Sequence, residues 1–243
     1  MIPMHIQDSV ILVTGGNRGL GKSLIQAFLD AGAKKIYVGS RTRIETSDSR
    51  LQPIQLDITN EHDIAAAIER CQDVTILVNN AGVGHLTTFL TAPSLDEARA
   101  TMETNYLGTL AMVRAFAPIL KRNGGGTLVN ILSVLSWFVA PHLGPYSASK
   151  AAELALTEAI RIELRSQGTQ VVAVHIGYID TDMSALVDDV KASPRDVAAS
   201  ILDGLQNDQE EILADQPSHD VKAVLASNRE VFYQNLQRAA TNN

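Results

Sequence analysis

Cysteine is nearly absent from this chain of 243 residues, with Cys71 standing alone. No disulfide can close within the chain and no thiolate metal cluster can form. Cys71 lies in a mixed stretch from Ile68 to Val74 and reads as a free thiol without a role. Aromatic residues are also scarce, 5% of the chain with one tryptophan. Positive charge is in deficit. Lys and Arg number 20 against 27 Asp and Glu, a formal net charge of −7, which argues against nucleic acid as a partner without excluding a local phosphate site. No apolar run reaches the length of a membrane span, and the start, Met1 to Val10, is short and polar. The expectation is a cytoplasmic protein without a membrane partner. No set of His, Cys, Asp and Glu has the spacing of a zinc motif, so no metal is expected.

What is present is 45% hydrophobic and 19% charged, which suits neither a disordered nor a fibrous chain. A chain of this size buries about 70% of its surface on folding. One domain over residues 1–243 is expected.

The pattern alternates. Val10-Ile11-Leu12-Val13 is an apolar run, followed by helical spacing through Leu20, Leu24, Ile25, Phe28 and Leu29, and then a strand near Lys34 to Ser40. Strand, helix and strand within about thirty residues make the βαβ unit of a parallel sheet. Further strands begin near residues 51, 74, 126, 171 and 211. Helices are read at Glu61 to Cys71, capped by Asn60, at Tyr146 to Arg165, and from Pro194, capped by Ser193. Leu95 to Leu120 carries a long helical pattern whose weak points are Asn105 and Gly108. Arg41 to Arg50 is too short for a crossover helix, so a loop or single turn makes that crossing. Seven strands in this order predict a doubly wound α/β Rossmann fold, a seven-stranded parallel sheet in a three-layer α/β/α arrangement.

Thr14-Gly15-Gly16-Asn17-Arg18-Gly19-Leu20-Gly21 joins the first strand to the first helix. Gly15 permits the tight turn, Gly19 lets backbone approach a pyrophosphate, and Gly21 allows close helix packing. The helix start offers free N–H groups to an anion. Dinucleotide sites usually place an acid at the end of the second strand for the adenine ribose, but that end here is Gly39-Ser40-Arg41. Ser40, Arg41 and Arg18 are candidates for a 2′-phosphate, so NADP(H) is favoured over NAD(H). The plainer reading makes both arginines solvated surface residues.

Ser133 lies just past the fifth strand, with Tyr146 and Lys150 thirteen and seventeen residues later. Four residues apart, Tyr146 and Lys150 share one helix face. A tyrosine is a poor acid–base near neutral pH unless a cation favours its anion, and Lys150 is such a cation. Ser133 can hold a substrate oxygen beside the tyrosine hydroxyl. Carbonyl reduction needs hydride at carbon and a proton at oxygen, and Tyr146 would supply the proton.

These pieces, with Leu56-Asp57-Ile58, Asn79-Asn80-Ala81-Gly82 and Asn105, resemble the short-chain dehydrogenase/reductase family of the classical type over about residues 8 to 215. The resemblance implies that Asp57 bonds near the adenine, that Ile58 lines its pocket, and that Asn79 steadies the central strand. It implies that Ala81-Gly82 runs beside the cofactor ribose and that Tyr146 and Lys150 contact the nicotinamide ribose. It also implies that Asn105, through its backbone carbonyl and a water, links Lys150 to a proton relay. Long helices around 97–118 and 147–165 would form a homodimer or homotetramer face. One departure stands in His175-Ile176-Gly177-Tyr178-Ile179-Asp180-Thr181-Asp182-Met183, where Ile176 occupies the usual place of a proline. Gly177 and Thr181 match the family, with Ile179 between them and Thr181 a carboxamide contact. Loss of the proline is expected to relax this loop.

The loop after Ser133 is rich in apolar residues, with Leu135, Trp137 and Phe138 close together. They are expected either to line a hydrophobic substrate pocket or to bury against a neighbouring subunit. His85, His142, Tyr178 and Met183 are candidates for the same cleft, His142 at its rim. A short substrate lid is expected at about 182–193. The Asp188-Asp189 pair either faces the mouth or is solvated. An NADPH-dependent reductase of small or medium ketones or aldehydes, reversible as an alcohol dehydrogenase, is the leading expectation. A dehydratase or epimerase relative and a non-enzymatic NAD(P)-binding regulator are the alternatives.

Overall fold

Runs of β-branched and aliphatic residues, apolar toward both faces, make the strands of this chain, as a parallel sheet covered on both sides requires. The computed structural model describes residues 6–42 and 44–241. The remaining positions of the expected 1–243 domain, including the first half of the Met1 to Val10 segment, lie outside the described residues. Among the described residues seven strands are present: β1 (Val10–Thr14), β2 (Lys35–Ser40), β3 (Leu51–Gln55), β4 (Ile76–Asn79), β5 (Thr127–Ile131), β6 (Gln170–His175) and β7 (Glu211–Leu213). They form one sheet in the order β3-β2-β1-β4-β5-β6-β7, every neighbouring pair parallel.

The helices are α1 (Gly19–Asp30), α2 (Glu61–Arg70), α3 (Asp96–Met102), α4 (Thr109–Arg122), α5 (Gly144–Glu163), α6 (Pro194–Gln206) and α7 (Gln216–Thr241). Alternate strand residues sort the core into two layers. Ile11, Val13, Ile36, Val38, Val78 and Val129 pack with α1 and α6 through Phe28 and Ile201. Leu12, Tyr37, Leu77 and Leu128 pack with α2, α4 and α5 through Ile64, Phe116 and Ile160. Phe28 and Phe116 are wholly buried, each burial contributing about 1.5–3 kcal/mol. Cys71 belongs to the second layer, and burial pushes its thiol up to about 12, which makes it an inert packing residue.

The strand order reverses between β1 and β4, which opens a crevice beyond their carboxyl ends. Register brings Thr14 opposite Gly39 and Asn79 opposite Asn130 at that edge. Asn60 and Ser193 cap α2 and α6 through their side chains, as the sequence predicts. The helical pattern from Leu95 to Leu120 divides at the expected weak points. Residues Glu103–Gly108 form a π-helical segment between α3 and α4, a widening that interrupts the ordinary hydrogen-bond ladder. The described residues between β2 and β3 carry no helix. The one long element that the sequence pattern misses is α7, which is kinked at Asn228. No helix among the described residues is long and apolar enough to cross a membrane.

Candidate active site

The loop after β1 is shaped by its glycines. Gly15 and Gly19 have φ of +65° and +52°, values that favour glycine. A Cβ on Gly15 would lie 3.0 Å from the Ala81 Cα, and one on Gly21 would overlap the Gly15 carbonyl oxygen. The α1 N-cap, Arg18, makes no side-chain cap bond, so the first-turn N–H groups point out without an internal acceptor. Asn80 ties this loop to β4, its Nδ2 donating to the carbonyls of Thr14 (2.9 Å) and Gly15 (3.2 Å). Thr14 Oγ1 in turn accepts from the backbone of Asn80 and Ala81, both at 3.0 Å. Sequence reasoning gave Asn80 no task; its signal was its place beside Asn79 at the end of the central strand.

At the end of β2, Ser40 is buried, and its Oγ accepts from the Thr42 backbone N–H at 3.2 Å. Asn17 Nδ2 donates to Thr42 Oγ1 at 3.2 Å, so Thr42 joins the two loops expected to frame a nucleotide. Arg41 is exposed beside them. Arg18 is engaged by Asp182 at 3.2 Å, both side chains largely exposed. A Cβ on Gly19 would meet Thr181 Cγ2 at 3.1 Å, so the loop after β6 touches the loop after β1. Asp57 Oδ1 accepts from the backbone and the hydroxyl of Thr59, at 2.9 and 2.8 Å. Ile58 is buried under Gly108, where a Cβ would come within 2.8 Å of it.

Beyond β4 and β5 lies the chemistry. Ser133 is buried and caps the short turn Val134–Ser136, its Oγ accepting from the Leu135 N–H at 3.1 Å. Tyr146 and Lys150 stand one turn apart on α5, with the Lys150 Nζ 5.9 Å from the tyrosine ring centre. Lys150 is buried. Its Nζ donates to the Ile131 carbonyl at 2.8 Å and to Glu153 Oε2 at 2.6 Å. Asn105, wholly buried in the π segment, bonds both backbone groups of Val83 and donates to Ser149 Oγ at 2.9 Å. Its side chain therefore clamps the strand-to-helix crossing that carries Gly82 and Gly84. A Cβ on Gly82 would approach Asn105 Oδ1 at 3.3 Å, and one on Gly84 would touch the Tyr146 ring at 3.2 Å. Asn79 donates to Asn130, and Asn130 to Thr157, each at 2.9 Å, joining β4 and β5 to α5. Glu153, Ser149, Thr109 and Asn130 went unread in the sequence.

The substrate side carries the apolar loop after Ser133. The Trp137 ring stacks on buried His175 at 4.0 Å, with the Lys222 ammonium 5.8 Å from the indole centre. Phe138 meets Phe232 edge-on at 4.9 Å. Partners of these rings lie within the chain, on β6 and α7. Leu135, Tyr146 and Tyr178 join Trp137, Phe138 and Val221 of α7 in one apolar cluster. Met183 Sδ lies 3.7 Å from the Cβ position of Gly84, while His85 and His142 are exposed. Tyr178 is raised above the usual phenol range, first by burial and then by Asp189 and Tyr146. The loop with Ile176 is tied to its neighbours by backbone hydrogen bonds. The Ile176 carbonyl accepts from Val134 N–H at 2.9 Å, and Gly177 N–H donates to Asp215 Oδ2 at 2.7 Å. Ile179 bridges Ala192 and closes the base of the following segment.

His175 has a measurable consequence. Burial is the main cause that pushes its imidazole down to about 4. The folded protein therefore refuses a proton that the unfolded chain accepts below about pH 6.5. Stability contributed by the neutral ring is present above that pH and is lost as pH falls toward 4, by at most about 3 kcal/mol. Urea unfolding at pH 7 and 4.5 should show this loss, and His175→Gln should flatten that part of the profile.

Comparison with known proteins agrees with this fold. The family model described as short chain dehydrogenase matches residues 9–191. A short-chain dehydrogenase of Penicillium crustosum is 38% identical over 186 residues, covering 72% of this chain and 68% of its own. An uncharacterized oxidoreductase of Staphylococcus saprophyticus is 28% identical over 232 residues, covering 89% of this chain and 95% of its own. The crystal structure of a short chain dehydrogenase from Burkholderia cenocepacia in complex with NADP superposes with a TM-score of 0.93 at 39% identity, covering 96% of this chain and 99% of that one. A 3-ketoacyl-(acyl-carrier-protein) reductase from Brucella melitensis complexed with NADH gives 0.79 at 25% identity, covering 86% and 96%.

Proposed function

The chain belongs to the short chain dehydrogenase family of oxidoreductases, and from that premise we propose that it is an NADPH-dependent reductase of small or medium hydrophobic ketones or aldehydes, reversible as an alcohol dehydrogenase. The observation that carries this reading is Tyr146 set one helical turn before a buried, hydrogen-bonded Lys150, at the end of the crevice that the glycine loop opens. The loop suits a dinucleotide, because the space a side chain would fill at Gly21 is closed by backbone and the α1 N–H groups are uncapped. Gly15, Asn17, Gly19, Leu20 and Gly21 would hold the pyrophosphate side. Asp57 and Ile58 would border the adenine. Asn79, Ala81, Gly82, Gly177, Ile179 and Thr181 would line the path to the nicotinamide. A bound nicotinamide supplies the hydride.

The chain's own residues do the rest. Ser133 and Tyr146 direct their hydroxyls at the carbonyl oxygen, which polarises it and fixes its approach. The Tyr146 hydroxyl gives its proton to that oxygen as charge develops. Lys150 favours the phenolate that remains. Asn105 fixes the backbone of Val83 and thereby the wall beside Tyr146. Leu135, Phe138, Tyr178 and Met183 give the cleft its apolar character, with residues 182–193 as a short lid and α7 behind it. The two helix faces on α4 and α5, where Ile162 is exposed, pair copies of the chain in a homodimer or homotetramer, which light scattering measures.

Cofactor choice rests on Arg18 and Arg41 beside buried Ser40. Removing either guanidinium should raise the KM for NADPH about tenfold, the effect of one lost charge-assisted bond, and leave NADH almost unchanged. The test follows loss of reduced nicotinamide absorbance with both cofactors over a panel of aliphatic and aromatic ketones and aldehydes. Faster turnover with NADH would remove the arginine reading and leave the chemistry standing. Tight cofactor binding without turnover on the whole panel would favour a regulator.

A further inference from the structure

Lys150 is not the only charge beside Tyr146. Glu153, three residues on along α5, is 1% exposed. Its Oε2 accepts from Lys150 Nζ at 2.6 Å, and its Oε1 accepts from Thr109 Oγ1 on α4 at 3.3 Å. Thr109 is itself buried. A glutamate placed for solubility faces water; this one is enclosed and has a donor set against each oxygen. Tyr146 on the same helix is the titratable group whose charge acts on Lys150 besides Glu153, and Tyr146 acts in turn on Tyr178. The neighbouring elements contribute neutral groups, Thr109 and Asn105 from the π segment and α4, the Ile131 carbonyl and Asn130 from β5, and Ser133 just beyond it. Burial lifts the Glu153 carboxyl above its ordinary range, and Lys150 and Thr109 pull it back. Burial would lower Lys150, but Glu153 and Tyr146 outweigh it and hold the ammonium above its ordinary range.

Resting on the reading of Tyr146 as the proton donor, we propose that Glu153 is a charge-balancing positioning residue, which makes the tyrosine face an ion pair instead of a free ammonium. A negative charge added to coupled proton-binding groups raises the proton affinity of the whole set, however the protons are assigned. Removing the Glu153 charge should therefore favour loss of a proton from the set, which a variant at this position can report. The carboxylate also fixes the Lys150 Nζ between two acceptors, so the ammonium has one position.

The test is a near-ultraviolet titration of the Tyr146 phenolate, taken as the difference between each protein and its Tyr146→Phe counterpart. Glu153→Gln keeps size and a hydrogen-bond acceptor but removes the charge, and should move the phenolate transition down by about one pH unit. Glu153→Asp keeps the charge and should restore the transition to near the wild-type pH. The pH profile of alcohol oxidation should shift in the same direction in Glu153→Gln. Should that variant not fold, Thr109→Val, which removes the donor to Oε1 and so weakens the carboxylate, should give a smaller downward shift. An unmoved phenolate transition in folded Glu153→Gln, or in Thr109→Val where the former does not fold, overturns the proposal even if the enzyme is active. A shifted transition in a protein that turns over no carbonyl leaves Glu153 in place and overturns the reductase reading instead.

Discussion

Tyr146→Phe should lower kcat for carbonyl reduction about a thousandfold, the range expected when a positioned acid–base is lost, while cofactor binding stays near the wild-type value. The substitution removes one oxygen and leaves the ring, so the apolar cluster with Leu135 and Leu143 is kept. Neither Lys150 nor Glu153 loses its partner, since Lys150 bonds Ile131 and Glu153 rather than the tyrosine hydroxyl. The variant should therefore melt within a few degrees of the parent. Single-turnover kinetics with NADPH would separate this outcome from slow product release. A kcat within threefold of wild type would take Tyr146 out of the mechanism.

Lys150→Met should be damaging in a different way. It removes the cation and strands Glu153, 1% exposed, with only the Thr109 hydroxyl for company. Breaking a buried ion pair by removing one partner costs about 3–5 kcal/mol, which in a chain of this size lowers Tm by about 10 °C. The loss should shrink as pH falls, because the stranded carboxyl is raised by burial and takes a proton more readily than in the unfolded chain. Lys150→Met with Glu153→Leu should recover most of the stability and none of the activity. Calorimetry on the single and double variants across pH 5 to 8 checks both statements. A double variant no more stable than Lys150→Met would show that packing, not charge, sets the cost.

The same residues explain how much could be read in advance. The strands were legible because runs such as Val10 to Val13 are apolar without interruption and stop at glycine or asparagine. Ser133, Tyr146 and Lys150 were legible because a tyrosine and a lysine share one helix face and because, with the glycine loop, Asp57, the Asn79 to Gly82 segment and Asn105, they resemble the family's pattern. Glu153 was not, since a glutamate in an alanine-rich helix looks solvent-facing until the neighbouring helix is placed. Only the packing of the π-helical segment and the first residue of α4 against α5 brings Thr109 to it. Helix α7 was illegible for a related reason. Its apolar residues, among them Val221, Val224, Leu225, Val231, Phe232 and Leu236, are interspersed with polar ones, and the kink at Asn228 breaks their period. With α7 unseen, the contacts of Trp137 and Phe138 with His175, Lys222 and Phe232 could not be foreseen. The side-chain role of Asn105 was hidden too, because the Val83 backbone that it clamps is distant in sequence.

The bridge between Arg18 and Asp182 bears on ionic strength. Each side chain is mostly in water, so added salt weakens the pair over a Debye length of about 8 Å at physiological concentrations. An arginine that already faces a carboxylate brings little net charge to an arriving phosphate; the phosphate replaces one anion with another. If Arg18 changes partners in this way, NADPH binding should fall less steeply with salt than a tally of nearby arginines implies. Asp182→Asn should steepen it, because the arginine would then meet the phosphate unneutralised. A contact that looks like a simple tie between two loops therefore also sets how the site responds to the salt around it.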